Sequence, residues 1–108
     1  MSEEVINLNN ENFNEIIKNN EKVVVDFWAS WCMPCKIVAP AFENLAKKYK
    51  TSIIFAKVNV DENPDIAAKF EIMSIPNFII FKNGEKIGEI VGAYPENILE
   101  EKILNFFK

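Results

Sequence analysis

A nearly continuous apolar run, Val-Val-Val-Asp-Phe-Trp at residues 23–28, constrains the fold of this chain more than any other segment. A run with a single charged side chain is typical of a central strand that is covered on both faces of a sheet. The segment from Ile53 to Val60 has the same character, again with one charged residue. Such strands need helices packed on both sides, so these two segments predict an α/β protein.

Helical patterns alternate with the strand candidates along the chain. Apolar residues recur at helical spacing after Asn10, from Ile37 to Tyr49, from Pro64 to about Phe70, and after Pro95. Asn83-Gly84 is typical of a type I′ turn and predicts an antiparallel hairpin. The order β-α-β-α-β-α-β-β-α predicts one domain over residues 1–108. Its central mixed sheet is expected to have five strands, mostly parallel with one antiparallel edge, and four helices on the two faces.

Charge and composition exclude several functions. All 12 basic residues are Lys, 16 residues are acidic, and the net charge is −4. Without Arg, the chain lacks the planar cation that best recognises phosphates and base edges, so we expect no nucleic-acid binding. Without His, it holds neither a Ser-His nor a Cys-His catalytic pair, nor a His-ligated metal.

The N-terminal segment Met1-Ser2-Glu3-Glu4-Val5 has neither a basic start nor a long apolar run. It therefore does not match a secretory signal. No apolar stretch in the chain approaches the roughly 20 residues that cross a membrane as a helix. We expect a monomer in the cytoplasm, without membrane association.

The two cysteines, Cys32 and Cys35, are separated by two residues and admit three interpretations. A structural zinc site needs four ligands, usually Cys or His, and this chain offers two, which leaves only a site shared between two chains. A structural disulfide would close a very small loop and remove little entropy from the unfolded chain. The third interpretation, which we favour for a reducing compartment, is a reactive pair that alternates between dithiol and disulfide.

The position of the pair favours this third interpretation. Cys32 falls where a buried strand ends and a helix begins, and Pro34 fits the first helical turn because its missing N–H does no harm there. The unpaired N–H groups and the helix dipole favour a thiolate, so we expect the pKa of Cys32 to be lowered. Cys35, one helical turn later, is close enough to attack a mixed disulfide formed on Cys32. Pro40 lies farther along the same helix and is expected to kink it.

Each of the two apolar strand candidates carries one charged residue, Asp26 in the first and Lys57 in the second. Burial of a carboxylate is unfavourable, so the pKa of Asp26 is expected to be raised. If the two strands are neighbours, the two side chains meet beneath the start of the helix. Our hypothesis is that Asp26 relays a proton to or from Cys35. The alternatives are a purely structural ion pair, or a Lys57 that extends to solvent.

Taken together, these residues resemble a known family. The segment VVVDFWASWCMPCKIVAP is similar to the active-site segment of the thioredoxin family. The resemblance continues in KVNVDENP, SIPNFIIFKNGE and VGAYPE, in the family's order, and covers essentially the whole chain. A CxxC motif alone is weak evidence. Its combination with Asp26, Trp28, Pro40, Ile75-Pro76 and Gly92 at these spacings makes the resemblance specific.

The resemblance implies roles for the chemically active positions. Cys32 would be the attacking thiol and Cys35 the resolving thiol. Asp26 would be the buried carboxylate, and Lys57 would be its partner. Pro76 would be a cis proline that faces the dithiol.

The resemblance also implies a shallow apolar groove for substrates, which lie there in extended form and pair with the backbone near Ile75. Trp28 would pack beneath the site, either as plain core or in a more direct role. This chain has Met33 where the family usually has Gly, which adds a flexible apolar side chain at the mouth of the site. The residues expected to line the groove are Trp31, Met33, Pro34, Ile75, Pro76, Gly92 and Ala93.

The function implied by the resemblance is thiol–disulfide exchange, with disulfide-containing proteins as substrates and a thioredoxin reductase that restores the dithiol. The chain has no GxGxxG nucleotide-binding motif, and we expect no metal and no bound cofactor. Two alternatives stay open: an isomerase or oxidase on the same fold, and a binding module in which redox activity is incidental. Reduction potentials of this family extend from about −270 mV to about −120 mV, and residues between the cysteines such as Met33 influence them.

Overall fold

A computed structural model describes residues 4–108, and this part of the chain contains five strands and four helices. In chain order they are β1 (Val5–Asn7), α1 (Phe13–Asn19), β2 (Lys22–Trp28), α2 (Met33–Lys48), β3 (Ile54–Asn59), α3 (Pro64–Lys69), β4 (Asn77–Lys82), β5 (Glu85–Val91) and α4 (Glu96–Phe106). The predicted order of elements is confirmed.

The five strands form one mixed sheet in the order β1-β3-β2-β4-β5. β1, β3 and β2 are parallel neighbours, whereas β4 is antiparallel to both β2 and β5. The mixed sheet and the hairpin are as predicted, but the antiparallel pairing extends one strand further inward than the expected single edge. The reason is that the sequence pattern reveals a strand but not its direction, because a strand covered on both faces reads as an apolar run whether its neighbour is parallel or antiparallel, and β4 is buried at nearly every position.

Two apolar cores lie on opposite faces of this sheet, and β2 contributes to both. Val24 belongs to the core beneath α2 and α4, whereas Val25 belongs to the core beneath α1 and α3. Consecutive strand side chains point to opposite faces, and both of these residues are fully buried. This explains why the β2 run is apolar at nearly every position, and it confirms helices on both faces. Asp26, two residues after Val24, lies on the α2 face.

The hairpin between β4 and β5 turns at Asn83 and Gly84, whose φ angles are 52° and 84°. Two consecutive residues in the left-handed region are what a type I′ turn requires, so the predicted turn is confirmed. Glycine adopts this conformation without the steric penalty that a Cβ introduces.

Replacement of this glycine tests the turn. We expect Gly84→Ala to lower the free energy of unfolding by about 1 kcal/mol, because the added Cβ disfavours the positive φ. Denaturant unfolding of the wild-type and variant proteins measures the change. Gly84→Asn is the matched control and should lose less, since Asn tolerates the left-handed region better than Ala. An unfolding midpoint that stays the same in Gly84→Ala would contradict this account of the turn.

Residues 4–108 include no helix that is both long and apolar enough to cross a membrane. The expectation that the chain starts without a secretory signal concerns mainly Met1, Ser2 and Glu3, which lie outside the described residues.

Candidate active site

The two cysteines lie at the carboxyl end of β2, where the chain enters α2. They form a disulfide, with Cα atoms 5.3 Å apart. Cys32 is the N-cap residue of α2, and the backbone N–H of Cys35 donates a hydrogen bond of 3.3 Å to its Sγ. Pro34, which has no N–H to satisfy, occupies the first turn as predicted. One of the otherwise unpaired amides at the helix start therefore faces the sulfur of Cys32, an arrangement that favours a thiolate.

A cis peptide bond faces this pair, between Ile75 and Pro76 as the resemblance implies. The carbonyl oxygen of Ile75 lies 3.8 Å from Sγ of Cys32. The N–H of Gly92 donates to the carbonyl of Pro76 over 3.0 Å, and Gly92 has a φ of 114°, where a side chain would be strained. The start of α2, the Ile75–Pro76 turn and the end of β5 thus meet at the disulfide.

The surface around the buried disulfide is apolar and exposed. Trp31 is 68% exposed and Met33 63% exposed, so both predicted groove residues are available to a partner. Pro34 and Ala93 are also exposed, Ile75 is half-buried, and Pro76 is buried beneath them. Met73 is 93% exposed in the segment just before Ile75, and the sequence analysis did not single it out.

Trp31 is fixed by a contact that the sequence analysis missed. Its Nε1 donates a hydrogen bond of 2.7 Å to Oδ2 of Asp61. The backbone N–H of Asp61 in turn donates to Oδ1 of Asn59 over 2.9 Å. No signal in the sequence marks this contact, because the N–H of an exposed Trp can bond to water and Asp61 lies 30 positions away along the chain.

Asp26 is the one strongly perturbed carboxyl at the site within the described chain. Its side chain is 4% exposed, and Oδ1 has no hydrogen-bond partner. Burial raises the pKa of Asp26 from its ordinary value of 3.8 to about 7, while the positive charge of Lys57 acts in the opposite direction. The predicted rise in the pKa is confirmed.

Lys57 lies directly opposite Asp26 in the parallel pairing of β2 and β3, so the predicted neighbourhood is also confirmed. Among residues 4–108, however, neither a hydrogen bond nor an ion pair joins the two side chains. Nζ of Lys57 instead lies 5.2 Å from the centre of the Trp28 ring, a cation–π contact. Trp28 thus orients the cation, and the charge of Lys57 reaches Asp26 without direct contact.

A cavity of about 100 Å³ connects the carboxyl group to the disulfide. Its volume suits water molecules, and Asp26, Lys57 and Nε1 of Trp28 offer polar groups within an otherwise mainly apolar lining. Nε1 of Trp28 is also buried at this place without a hydrogen-bond partner. Pro40 lies inside α2 as expected, where it is exposed and does not line the cavity, and the kink that it is expected to cause stays a prediction. The lining residues are Asp26, Trp28, Cys35, Lys36, Ala39 and Lys57.

Comparisons with known proteins agree with this geometry. Residues 4–105 match the family model described as Thioredoxin. A thioredoxin of Staphylococcus haemolyticus is 47% identical over 97 residues, which cover 90% of this chain and 92% of that protein. A thioredoxin of Chlorobaculum thiosulfatiphilum is 48% identical over 89 residues, 82% of each chain. The solved structure of Plasmodium falciparum thioredoxin has a TM-score of 0.87 and 38% identity, over 94% of this chain and 98% of that one.

Proposed function

Because the chain belongs to the thioredoxin family and is a thiol–disulfide oxidoreductase that reduces protein disulfides, we propose that Cys32 and Cys35 are its reacting groups. The observation that carries this assignment is the hydrogen bond from the Cys35 amide to Sγ of Cys32 at the start of α2. We also propose that residues 1–108 act as one domain without a metal or bound cofactor.

Cys32 is the attacking group. Its thiolate attacks one sulfur of a substrate disulfide, so that a bond forms between Cys32 and the substrate. The substrate's own S–S bond breaks, and its other sulfur leaves as a thiolate that takes a proton from solvent. Solvent exposure does not distinguish the attacking cysteine from the resolving one, since Cys32 is 4% exposed and Cys35 3% exposed. Their surroundings do distinguish them, because the helix amide faces Cys32, whereas Cys35 lines the same cavity as Asp26.

Cys35 resolves the mixed disulfide. Its thiol loses a proton and its sulfur attacks Cys32, which forms the Cys32–Cys35 bond and releases the second substrate sulfur. Two electrons have then passed from the chain to the substrate. We assign the proton acceptor to Asp26, because a pKa of about 7 leaves a substantial part of it ionised at neutral pH. Water in the shared cavity carries the proton between the two groups, and the charge of Lys57 favours the ionised carboxylate.

The substrate lies extended across the disulfide and pairs with the backbone near Ile75. The 3.8 Å separation between the Ile75 carbonyl and Sγ of Cys32 supports this arrangement, since backbone pairing there brings a substrate sulfur to Cys32. Exposed apolar surface surrounds that point on Trp31 and Met33. Pro34, Pro76, Gly92 and Ala93 complete the groove.

A thioredoxin acts on disulfide-bonded substrates and is returned to the dithiol form by a thioredoxin reductase, and these are the partners of this chain. We further propose a monomer that works in the cytoplasm, where thiols are kept reduced. The net charge of −4 and the absence of Arg support a protein that does not bind nucleic acid or a membrane.

The equilibrium reduction potential of the Cys32–Cys35 pair tests the direction of the reaction. We expect a value near −270 mV when the pair is titrated against a defined thiol buffer, as for a dithiol reductant. Met33→Gly restores the residue usual in the family and measures how much the methionine contributes. A wild-type potential above about −200 mV would instead support the isomerase or oxidase alternative.

A further inference from the structure

A second apolar cleft runs along α2 beside the disulfide, and we call it the α2 cleft. Ile37, Val38 and Ala41 form one wall, and the loop residues Ala93, Tyr94 and Pro95 form the other. The volume between the walls is about 250 Å³. Ile37 is 69% exposed although it is large and apolar, so its side chain adds little to the core and much to the outer surface of the cleft.

Contacts at both ends hold the walls of the α2 cleft in place. Near the disulfide, the Gly92 N–H donates to the Pro76 carbonyl over 3.0 Å. At the far end, Nδ2 of Asn44 on α2 donates to Oε1 of Glu96 on α4 over 3.1 Å. A cleft that is already formed binds an apolar side chain without first having to order its own walls.

The α2 cleft is within reach of a substrate attached to Cys32. Ile37 follows Cys32 by five positions, which corresponds to about 8 Å along the helix axis. An extended chain advances about 3.3 Å per residue, so a substrate residue two or three positions from the reacting cysteine reaches the cleft. Ala93 belongs both to the proposed groove and to the cleft wall, which makes the two surfaces continuous.

We propose that the α2 cleft is a specificity subsite that takes one large aliphatic side chain, two or three residues from the reacting cysteine of a protein substrate. This inference rests on the proposed function, since it needs a substrate held at Cys32. The volume suits one side chain and is smaller than the clefts that bind most small molecules. Glu96 at the far end disfavours an acidic side chain by like-charge repulsion.

Short peptides that carry one cysteine as a mixed disulfide with thionitrobenzoate test this subsite. Each peptide has Leu, Ser or Glu at two or three positions from the cysteine, on either side. Release of thionitrobenzoate gives the second-order rate constant for reduction by the dithiol protein. For at least one position, we expect the wild type to reduce the Leu peptide about five to ten times faster than the Ser peptide, with the Glu peptide slowest.

Variants of the cleft then show whether the preference for the Leu peptide arises there. Ile37→Ser removes an apolar wall and Ala41→Phe fills the cleft, so both should bring the Leu-to-Ser rate ratio close to one. Ile87→Ser is the matched control, because Ile87 is an exposed isoleucine on β5 outside the cleft, and it should keep the wild-type ratio. Circular dichroism checks folding, and Ile37→Ser decides alone if Ala41→Phe does not fold.

Three results would overturn the subsite: a wild-type ratio near one at every position, a ratio that survives in folded Ile37→Ser, or a ratio that is lost in Ile87→Ser as well. Reduction of dithiobis(nitrobenzoate) by the wild type separates this failure from a failure of the proposed function. Wild-type protein that does not reduce this small disulfide would refute the function itself. Normal reduction without a peptide preference would refute the subsite alone.

Discussion

Cys32→Ser should abolish the reduction of protein disulfides, whereas Cys35→Ser should trap the substrate as a stable covalent complex. The two outcomes differ because the residues act in successive steps. Without the Cys32 sulfur no mixed disulfide forms, and the rate should fall at least about a thousandfold. Without Cys35 the mixed disulfide forms normally, but no thiol lies within one helical turn to displace the substrate.

A disulfide-bonded model protein, reduced under single-turnover conditions, measures both effects. Non-reducing electrophoresis should show a covalent complex with Cys35→Ser that a small thiol releases, and no complex with Cys32→Ser. The double variant Cys32→Ser, Cys35→Ser serves as the control for non-covalent binding. If that double variant fully preserved the biological role of the protein, the alternative of a binding module would be favoured over the enzyme.

Features encoded by local sequence were predictable. The β2 run is apolar because its positions face one or other of two cores, and a short continuous apolar run of this kind is typical of a strand covered on both faces. The turn at Asn83-Gly84 follows from the conformational freedom of two residues. The N-cap position of Cys32 follows from the strand-to-helix boundary, which the sequence marks with Pro34. In each case, the sequence signal lies within a few consecutive residues.

Features that depend on distant segments were not predictable in the same way. The antiparallel pairing of β4 with β2 depends on the path of the whole connection between β3 and β4, which no local pattern encodes. Trp31 and its acceptor Asp61 are 30 positions apart. The contact of Lys57 with Trp28, in place of an ion pair with Asp26, depends on the side-chain conformation and not on the strand register that the sequence predicts. The α2 cleft exists only because the loop before α4 packs beside α2.

Asp26→Asn should remove a large pH dependence of stability. In the unfolded chain the pKa of Asp26 is near 3.8, whereas burial raises it to about 7 in the folded protein. Between these values, the folded protein holds a proton that the unfolded chain has released, so the free energy of unfolding falls as the pH rises. Above pH 7 both states are ionised, and the buried charge destabilises the fold by about 4 kcal/mol relative to the protonated carboxyl.

Urea unfolding of the oxidised proteins between pH 4 and pH 8 measures this effect, because the disulfide prevents the cysteines from titrating. Between about pH 4 and about pH 8, the free energy of unfolding of the variant should rise by about 4 kcal/mol relative to that of the wild type. The unpaired amide of Asn adds a constant offset that does not change with pH. Parallel stability curves for the two proteins would contradict a strongly perturbed Asp26.

The same variant separates a proton relay from a purely structural carboxylate. If Asp26 is purely structural, its replacement changes stability but not the rate of thiol–disulfide exchange. If Asp26 is a proton relay, it also controls how fast Cys35 loses its proton. We therefore expect Asp26→Asn to slow the release of substrate from the mixed disulfide at least about tenfold near neutral pH. The wild-type rate should rise as the pH passes through about 7, where Asp26 ionises beside Lys57 and Lys36, and the variant should lack this rise. Equal rates for the two proteins from about pH 6 to about pH 9 would exclude the relay even if the stability difference is found.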